Sequence, residues 1–233
     1  MARVVPVLGG RAVGKSLLIL KLCEFLNRNN KQSIGFIPFE SGISQKNSSD
    51  ILTNSEVFNS KAISSEKSLN PSGLYHGYQH FPIHFCSITE GLKLNQAAFD
   101  KKISQLSQNY SPIFLEYSGG LHTPLFQEVD FLQLLHKLDT NFLYILDDSP
   151  DFFEAALSNL KLLKQKNCEG RIMLNNKNKS TDAAWFEYIW KTVYDITGYE
   201  VIHLLPYFYD SFESDLTSSE NAALSVVAEK LQL

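Results

Sequence analysis

The sequence predicts a single α/β domain built on a mostly parallel sheet with helices on both faces. Three observations predict it. Short apolar runs bounded by turn residues alternate with longer amphipathic stretches at helical spacing. A glycine-rich loop joins the first apolar run to the first amphipathic stretch. Polar motifs recur just after successive apolar runs, at the carboxyl ends of the expected strands, where ligands bind in such folds. The 233 residues, 44% of them apolar and 12% aromatic, suffice for one ordinary core, and no repeat or clear linker divides them.

Taken in order, Val4-Val5-Pro6-Val7-Leu8 reads as a buried strand and Ser16 to Arg28 as a helix. Between them, residues 9–16 read Gly9-Gly10-Arg11-Ala12-Val13-Gly14-Lys15-Ser16, a complete G-x-x-x-x-G-K-[ST] phosphate loop. Gly9 and Gly14 let the backbone turn tightly and aim N–H groups at phosphate oxygens. Lys15 places a charge on the outer phosphates, and the Ser16 hydroxyl suits Mg²⁺. A helix start behind that loop adds its own partial positive charge. Chance would produce the pattern in roughly one chain in a hundred of this size. The expected fold is therefore of the P-loop NTPase type, and the expected ligand is a nucleoside triphosphate with Mg²⁺, with all eight loop residues in the nucleotide site.

Ser33 to Phe39 reads as a second strand, ending at Glu40-Ser41-Gly42. Residues 43–72, rich in Ser, Asn and Lys, are expected to be a mobile loop insertion covering a substrate or partner. Asn95 to Asn109 reads as a helix, Pro112 to Glu116 as a buried strand, and Tyr117-Ser118-Gly119-Gly120 as a turn. Gln127–Leu138, Asp151–Lys166, Thr181–Thr197 and Ser218–Leu231 read as helices; Asn141–Leu146, Gly170–Leu174 and Tyr199–Leu205 read as strands.

A net charge of −4 argues against a broad nucleic-acid surface. No window approaches the ~18 apolar residues of a membrane span, and no cleavable signal is expected because the apolar start runs into the loop. Cys23, Cys86 and Cys168 are scattered and fit packing roles in a reducing cytoplasm. His76, His80 and His84 have four-residue spacing, but Gly77 and Pro82 make that segment a poor helix, and no zinc site is expected. The run Trp185-Phe186-Tyr188-Trp190-Tyr194 reads as core or dimer interface, and Lys161, Lys164 and Lys166 as a solvated helix face. Asp147-Asp148 reads equally as a second metal site or as a solvated strand end capping the next helix.

Taken together, the strand-end motifs resemble dethiobiotin synthetase, the ATP-dependent ligase of biotin biosynthesis. Val13-Gly14-Lys15-Ser16 is similar to the end of that family's G-T-x-T-x-V-G-K-T loop. Ile37-Pro38-Phe39-Glu40-Ser41-Gly42 is similar to its K-P-x-x-S-G. Leu115-Glu116-Tyr117-Ser118-Gly119-Gly120 followed by Thr123-Pro124 is similar to its V-E-G-A-G-G with a T-P pair. Leu174-Asn175 is similar to the strand end whose Asn reads the purine, and Leu205-Pro206 to its final I-P. The resemblance implies that Asn175 and Pro206 join the ATP site and that Ser16, Glu116 and Asp50 ligate Mg²⁺. It also implies that Ser41 and Gly119 position a small-molecule substrate, with Lys15 and Ser41 catalytic, in a homodimer. From the residues alone, Asp50 is as readily a helix N-cap.

Two departures concern the substrate. Ile37 stands where the family has a Lys that holds the carbamate and the transferred phosphoryl, a loss that costs orders of magnitude in rate. The loop Asp147 to Phe153 is acidic and bulky where the family has a small turn, and Glu40 adds a carboxylate. The first functional expectation is a Mg–ATP-dependent ligase closing the ring of 7,8-diaminononanoate. The alternatives are an ATP-binding relative with a rebuilt substrate site, or a nucleotide-dependent regulator or assembly ATPase. The partition-type ATPases carry an extra Lys in a K-G-G-x-G-K-[ST] loop; Gly10 occupies that place here.

Overall fold

The structure, a computed structural model, describes residues 2–42, 74–117, 119–176, 182–205 and 216–233. Six strands form the central sheet: β1 (Val4–Gly9), β2 (Ile34–Phe36), β5 (Ile113–Glu116), β8 (Phe142–Asp147), β9 (Gly170–Asn175) and β10 (Val201–Leu205). Their order is β10-β9-β8-β1-β5-β2, and every neighbouring pair is parallel. The phosphate-loop strand thus lies in the interior of the sheet, with β5 on one side and β8 on the other.

Period-two alternation divides the strand side chains between two cores. Val5, Val7, Phe114, Leu143, Ile145 and Met173 point to one face, where helices α1 (Lys15–Arg28) and α7 (Ser218–Lys230) cover them with Leu18, Leu22, Leu26, Leu224 and Val227. Val4, Leu8, Ile113, Leu115, Tyr144 and Ile172 point to the other. There they meet α3 (Gln96–Leu106), α4 (Phe131–Leu138), α5 (Pro150–Gln165) and α6 (Ala183–Thr197) through Phe99, Leu134, Leu160 and Ile189. The expected α/β architecture, a parallel sheet covered on both faces, is the one observed.

Three segments differ from their expected form. The strand expected over Ser33–Phe39 breaks at Pro38, which has no N–H for the ladder. Beyond it, β3 (Phe39–Ser41) leaves the central sheet and pairs in parallel with β4 (Tyr75–Gly77). The helix expected from Gln127 begins only at Phe131, because Asp130 caps it in a reciprocal box with Gln133. Upstream, β6 (Pro124–Phe126) and β7 (Val129–Asp130) form an antiparallel pair. Third, α2 (Ile83–Glu90) begins inside the His76–His84 segment, which reads as a poor helix, and continues over residues given no element from the sequence. Gly77 and Pro82 are its punctuation: Gly77 ends β4 and Pro82 is the N-cap, where no N–H is needed. His76 and His84 consequently sit on a strand and a helix, so their spacing carries no common face. The expected 43–72 insertion lies outside the described residues.

Candidate nucleotide site

The site is built where β1 ends. Gly9 has φ 139°, and a Cβ there would stand 2.5 Å from the Ile145 carbonyl oxygen of the neighbouring strand. Only glycine lets the chain pass so close to β8. Ala12, at the exposed tip of the loop, adopts φ 59°, and Gly14 has φ 95° as the N-cap of α1. Arg11 is exposed beside Ala12.

Lys15 folds back beneath this loop. Its Nζ donates to the Gly9 carbonyl at 3.1 Å and to that of Gly10, and the residue is only 3% exposed. Burial lowers the ammonium's pKa from its ordinary 10.5, and the nearby Glu116 charge opposes that shift. Ser16 Oγ donates to Glu116 Oε1 at 2.8 Å, across 100 residues of sequence. Register explains the meeting: Glu116 is the last residue of β5 and lies opposite Val7 of β1. A serine hydroxyl and a buried carboxylate form a hard-oxygen corner beside the phosphate loop. That corner fits Mg²⁺, which takes one or two carboxylates and completes its shell with phosphate and water. Ser16 and Glu116 would hold the ion, and it would neutralise phosphate charge.

Asn175 ends β9, and its Nδ2 donates to the Val13 carbonyl at 2.9 Å. A Cβ on Gly14 would stand 2.6 Å from the same Nδ2, so the amide lies directly against the loop. Asp147 and Asp148, at the end of β8, are 6% and 3% exposed. Neither is the solvated strand end weighed from the sequence. Asp147 accepts from the Ser149 N–H, and the Asp148 carbonyl accepts from Trp185 Nε1 at 3.0 Å.

The expected substrate residues are arranged differently. Ser41 is exposed at the end of β3, and Glu40 beside it faces His76 Nδ1 at 3.9 Å. Gly119 is exposed, and any Cβ there would land on the Tyr117 hydroxyl. Tyr117 is buried, stacks on Phe131 with centroids 3.7 Å apart, and donates from its hydroxyl to the Gly120 carbonyl. Burial pushes its phenol up to about 12, with a hydrogen bond to Thr123 working against the shift and the Asp130 charge adding to it. This roof over the glycine turn was legible only as a departure: Tyr117 stands where the resembled family's motif has Gly. Ile37 is 6% exposed and belongs to the α1-side core with Val5 and Val7, so its side chain is committed to packing. Asp50, Ser118 and Pro206 lie outside the described residues. The aromatic run of α6 divides: Trp185 and Phe186 pack partly buried against the core, whereas Tyr188, Trp190 and Tyr194 are each about half exposed. Lys161, Lys164 and Lys166 are exposed, and Cys23, Cys86 and Cys168 are buried free thiols.

No protein-family profile and no curated protein matches this chain. Solved structures do. A MinC:MinD cell division protein complex of Aquifex aeolicus matches at TM-score 0.59 and 15% identity, over 99% of this chain and 96% of that one. The MinD cell division protein of the same organism matches at 0.59 and 13%, over 99% and 97%. A protein assigned to plasmid partition in Borrelia burgdorferi, bound to AMPPNP, matches at 0.56 and 12%, over 98% and 97%. The fold is that of the P-loop NTPases. The resemblance to dethiobiotin synthetase carried by the motifs is not shown by these comparisons. Among the described residues, no helix is long and apolar enough to cross a membrane.

Proposed function

We propose that this chain binds Mg–ATP and uses it as a nucleotide-dependent switch or assembly ATPase, controlling association with a second copy of itself or with a protein partner. The observation that carries the reading is a contrast within one site. The Lys15–Ser16–Glu116 corner is assembled, while Ile37, where carbamate chemistry would want a cation, is packed in the core. A carboxylate, Glu40, stands next to the expected substrate turn, where an anionic intermediate would be repelled. The full-length likeness to MinD cell division proteins and to a plasmid partition protein holding AMPPNP supports the same reading.

The test pairs ATP hydrolysis with sedimentation in Mg–ATP and in Mg–ADP, with Lys15→Ala as control. Slow hydrolysis together with a nucleotide-dependent change of assembly state, both lost in Lys15→Ala, is expected. The order of the strand-end motifs favours a second reading, the dethiobiotin synthetase-type ligase. Dethiobiotin formed from 7,8-diaminononanoate, bicarbonate and Mg–ATP would select that reading and overturn the first.

A further inference from the structure

Asn175 touches the phosphate loop from an unexpected direction. It belongs to β9, which is separated from β1 by the whole of β8, yet its side chain crosses the end of β8 to reach Val13. The residue is 9% exposed, and its Nδ2 fills the space that a Gly14 side chain would need. In a trans peptide the carbonyl and the following N–H point in opposite directions. Fixing the Val13 carbonyl toward Asn175 therefore fixes the Gly14 N–H away from it. Gly14 is the N-cap of α1, and its own carbonyl already accepts from Leu18 N at 3.0 Å. Neither half of the residue can then reorient without breaking a bond.

We propose that Asn175 is a positioning residue for the phosphate loop, presetting the Gly14 N–H as a phosphate donor by holding the Val13 carbonyl. This rests on the nucleotide reading above and gives Asn175 a task distinct from reading the purine. A phosphate-positioning residue acts on any ligand that carries the phosphates, with or without a base.

The experiment measures binding of Mg–ATP, Mg–ADP and inorganic tripolyphosphate to wild type, Asn175→Ala and Asn175→Leu. Leucine keeps the volume and removes the donor. The expected result is a loss of about fivefold to tenfold for all three ligands in both variants, the size of one hydrogen bond. Loss confined to ATP and ADP, with tripolyphosphate unchanged, would overturn the proposal in favour of base reading. Full binding by Asn175→Leu would overturn it in favour of packing. Wild type that binds ATP beside variants that bind equally well sinks the proposal alone; wild type that binds none of the three sinks the nucleotide reading with it. Should the variants not fold, the Gly14 amide resonance of the wild type decides: it shifts on titration with tripolyphosphate, and an unmoved resonance refutes the proposal.

Discussion

Alanine at each of the three loop glycines should give three different outcomes, because each missing side chain faces a different obstacle. At Gly9 a Cβ would stand 2.5 Å from a main-chain carbonyl of Ile145, held in place by the β1–β8 ladder, and φ is 139°. The strained backbone costs about 1–3 kcal/mol. Overpacking adds a comparable amount, toward its upper end because a ladder carbonyl cannot swing aside. Together these make about 4 kcal/mol, a large share of the about 5–15 kcal/mol that stabilises a typical domain. At Gly14 the φ of 95° costs about 1–2 kcal/mol, but the obstacle is the Asn175 side chain, which can move at the loss of one bond worth about 1 kcal/mol. Gly10 has no left-handed φ and 3.4 Å of clearance to Val13 Cγ1, so alanine there should leave stability within about 0.5 kcal/mol or raise it slightly. Urea unfolding at constant m-value measures all three. A double-mutant cycle of Gly14→Ala with Asn175→Ala should show a coupling of about 1 kcal/mol, since removing the amide removes the clash. Gly9→Ala within 1 kcal/mol of wild type, roughly the centre of the distribution for ordinary substitutions, would refute the loop geometry. Additivity in the cycle would refute the contact between Asn175 and Gly14.

Three further outcomes follow from the same corner. Because burial depresses the Lys15 pKa below 10.5, the unfolded chain binds more protons between the folded and unfolded values. Stability of the ligand-free protein should therefore rise with pH through that window, while ATP affinity falls as the ammonium is lost; Lys15→Ala should remove both slopes. Glu116→Ala removes the carboxylate that Ser16 contacts at 2.8 Å and leaves Ser16 alone at the corner, so ATP affinity measured with Mg²⁺ should fall toward the value measured with EDTA. An undiminished Mg²⁺ enhancement would exclude Glu116 as a ligand. Ile37→Lys places an ammonium in the α1-side core and should destabilise by about 3 kcal/mol or more without producing dethiobiotin, checked by urea unfolding and product assay.

The parts legible in the sequence were those whose signal is local or periodic. Parallel strands buried on both faces read as continuous apolar runs, so β1, β5, β8 and β9 were found nearly to the residue. Ser33–Phe39 carries large apolar side chains up to and just beyond Pro38, and apolarity does not say which sheet a residue joins. Helix α2 is not legible because Gly77 and Pro82 read as breakers inside one segment, whereas they mark the boundaries of two elements. Lys15 and Ser16 follow from a contiguous motif, and Glu116 from its place in the Leu115-Glu116-Tyr117-Ser118-Gly119-Gly120 stretch that carries the family resemblance. The Asn175–Val13 bond has no sequence signal of its own: it depends on the sheet order, which sets how far a β9 side chain must reach. The Tyr117 stack on Phe131 joins a strand end to a helix start, and neither residue's identity announces the other.

The two halves of the site respond differently to packing, and this bears on what bound nucleotide could do. The phosphate side is made of main-chain groups, Lys15, and the Ser16–Glu116 pair, all fixed by strand register and the start of α1. Its geometry is set before any ligand arrives, as electrostatic recognition of phosphate requires. The residues expected to position a substrate lie on β3, which pairs with β4 in a two-stranded sheet outside the central one, and on a glycine turn roofed by an aromatic side chain. Group transfer needs a second reactant held within about 3–3.5 Å of the phosphoryl by groups as rigid as the first set. The described residues there offer an exposed serine, a partly buried carboxylate facing a histidine, and an isoleucine committed to the core. β3–β4 shares no ladder with the central sheet and is held by the Phe39 ring packed against Tyr75, Phe99, Tyr117 and Phe126. Among its described residues the chain thus presents a preset phosphate corner without a matching set of groups for a second reactant, which supports the proposed switch over a ligase.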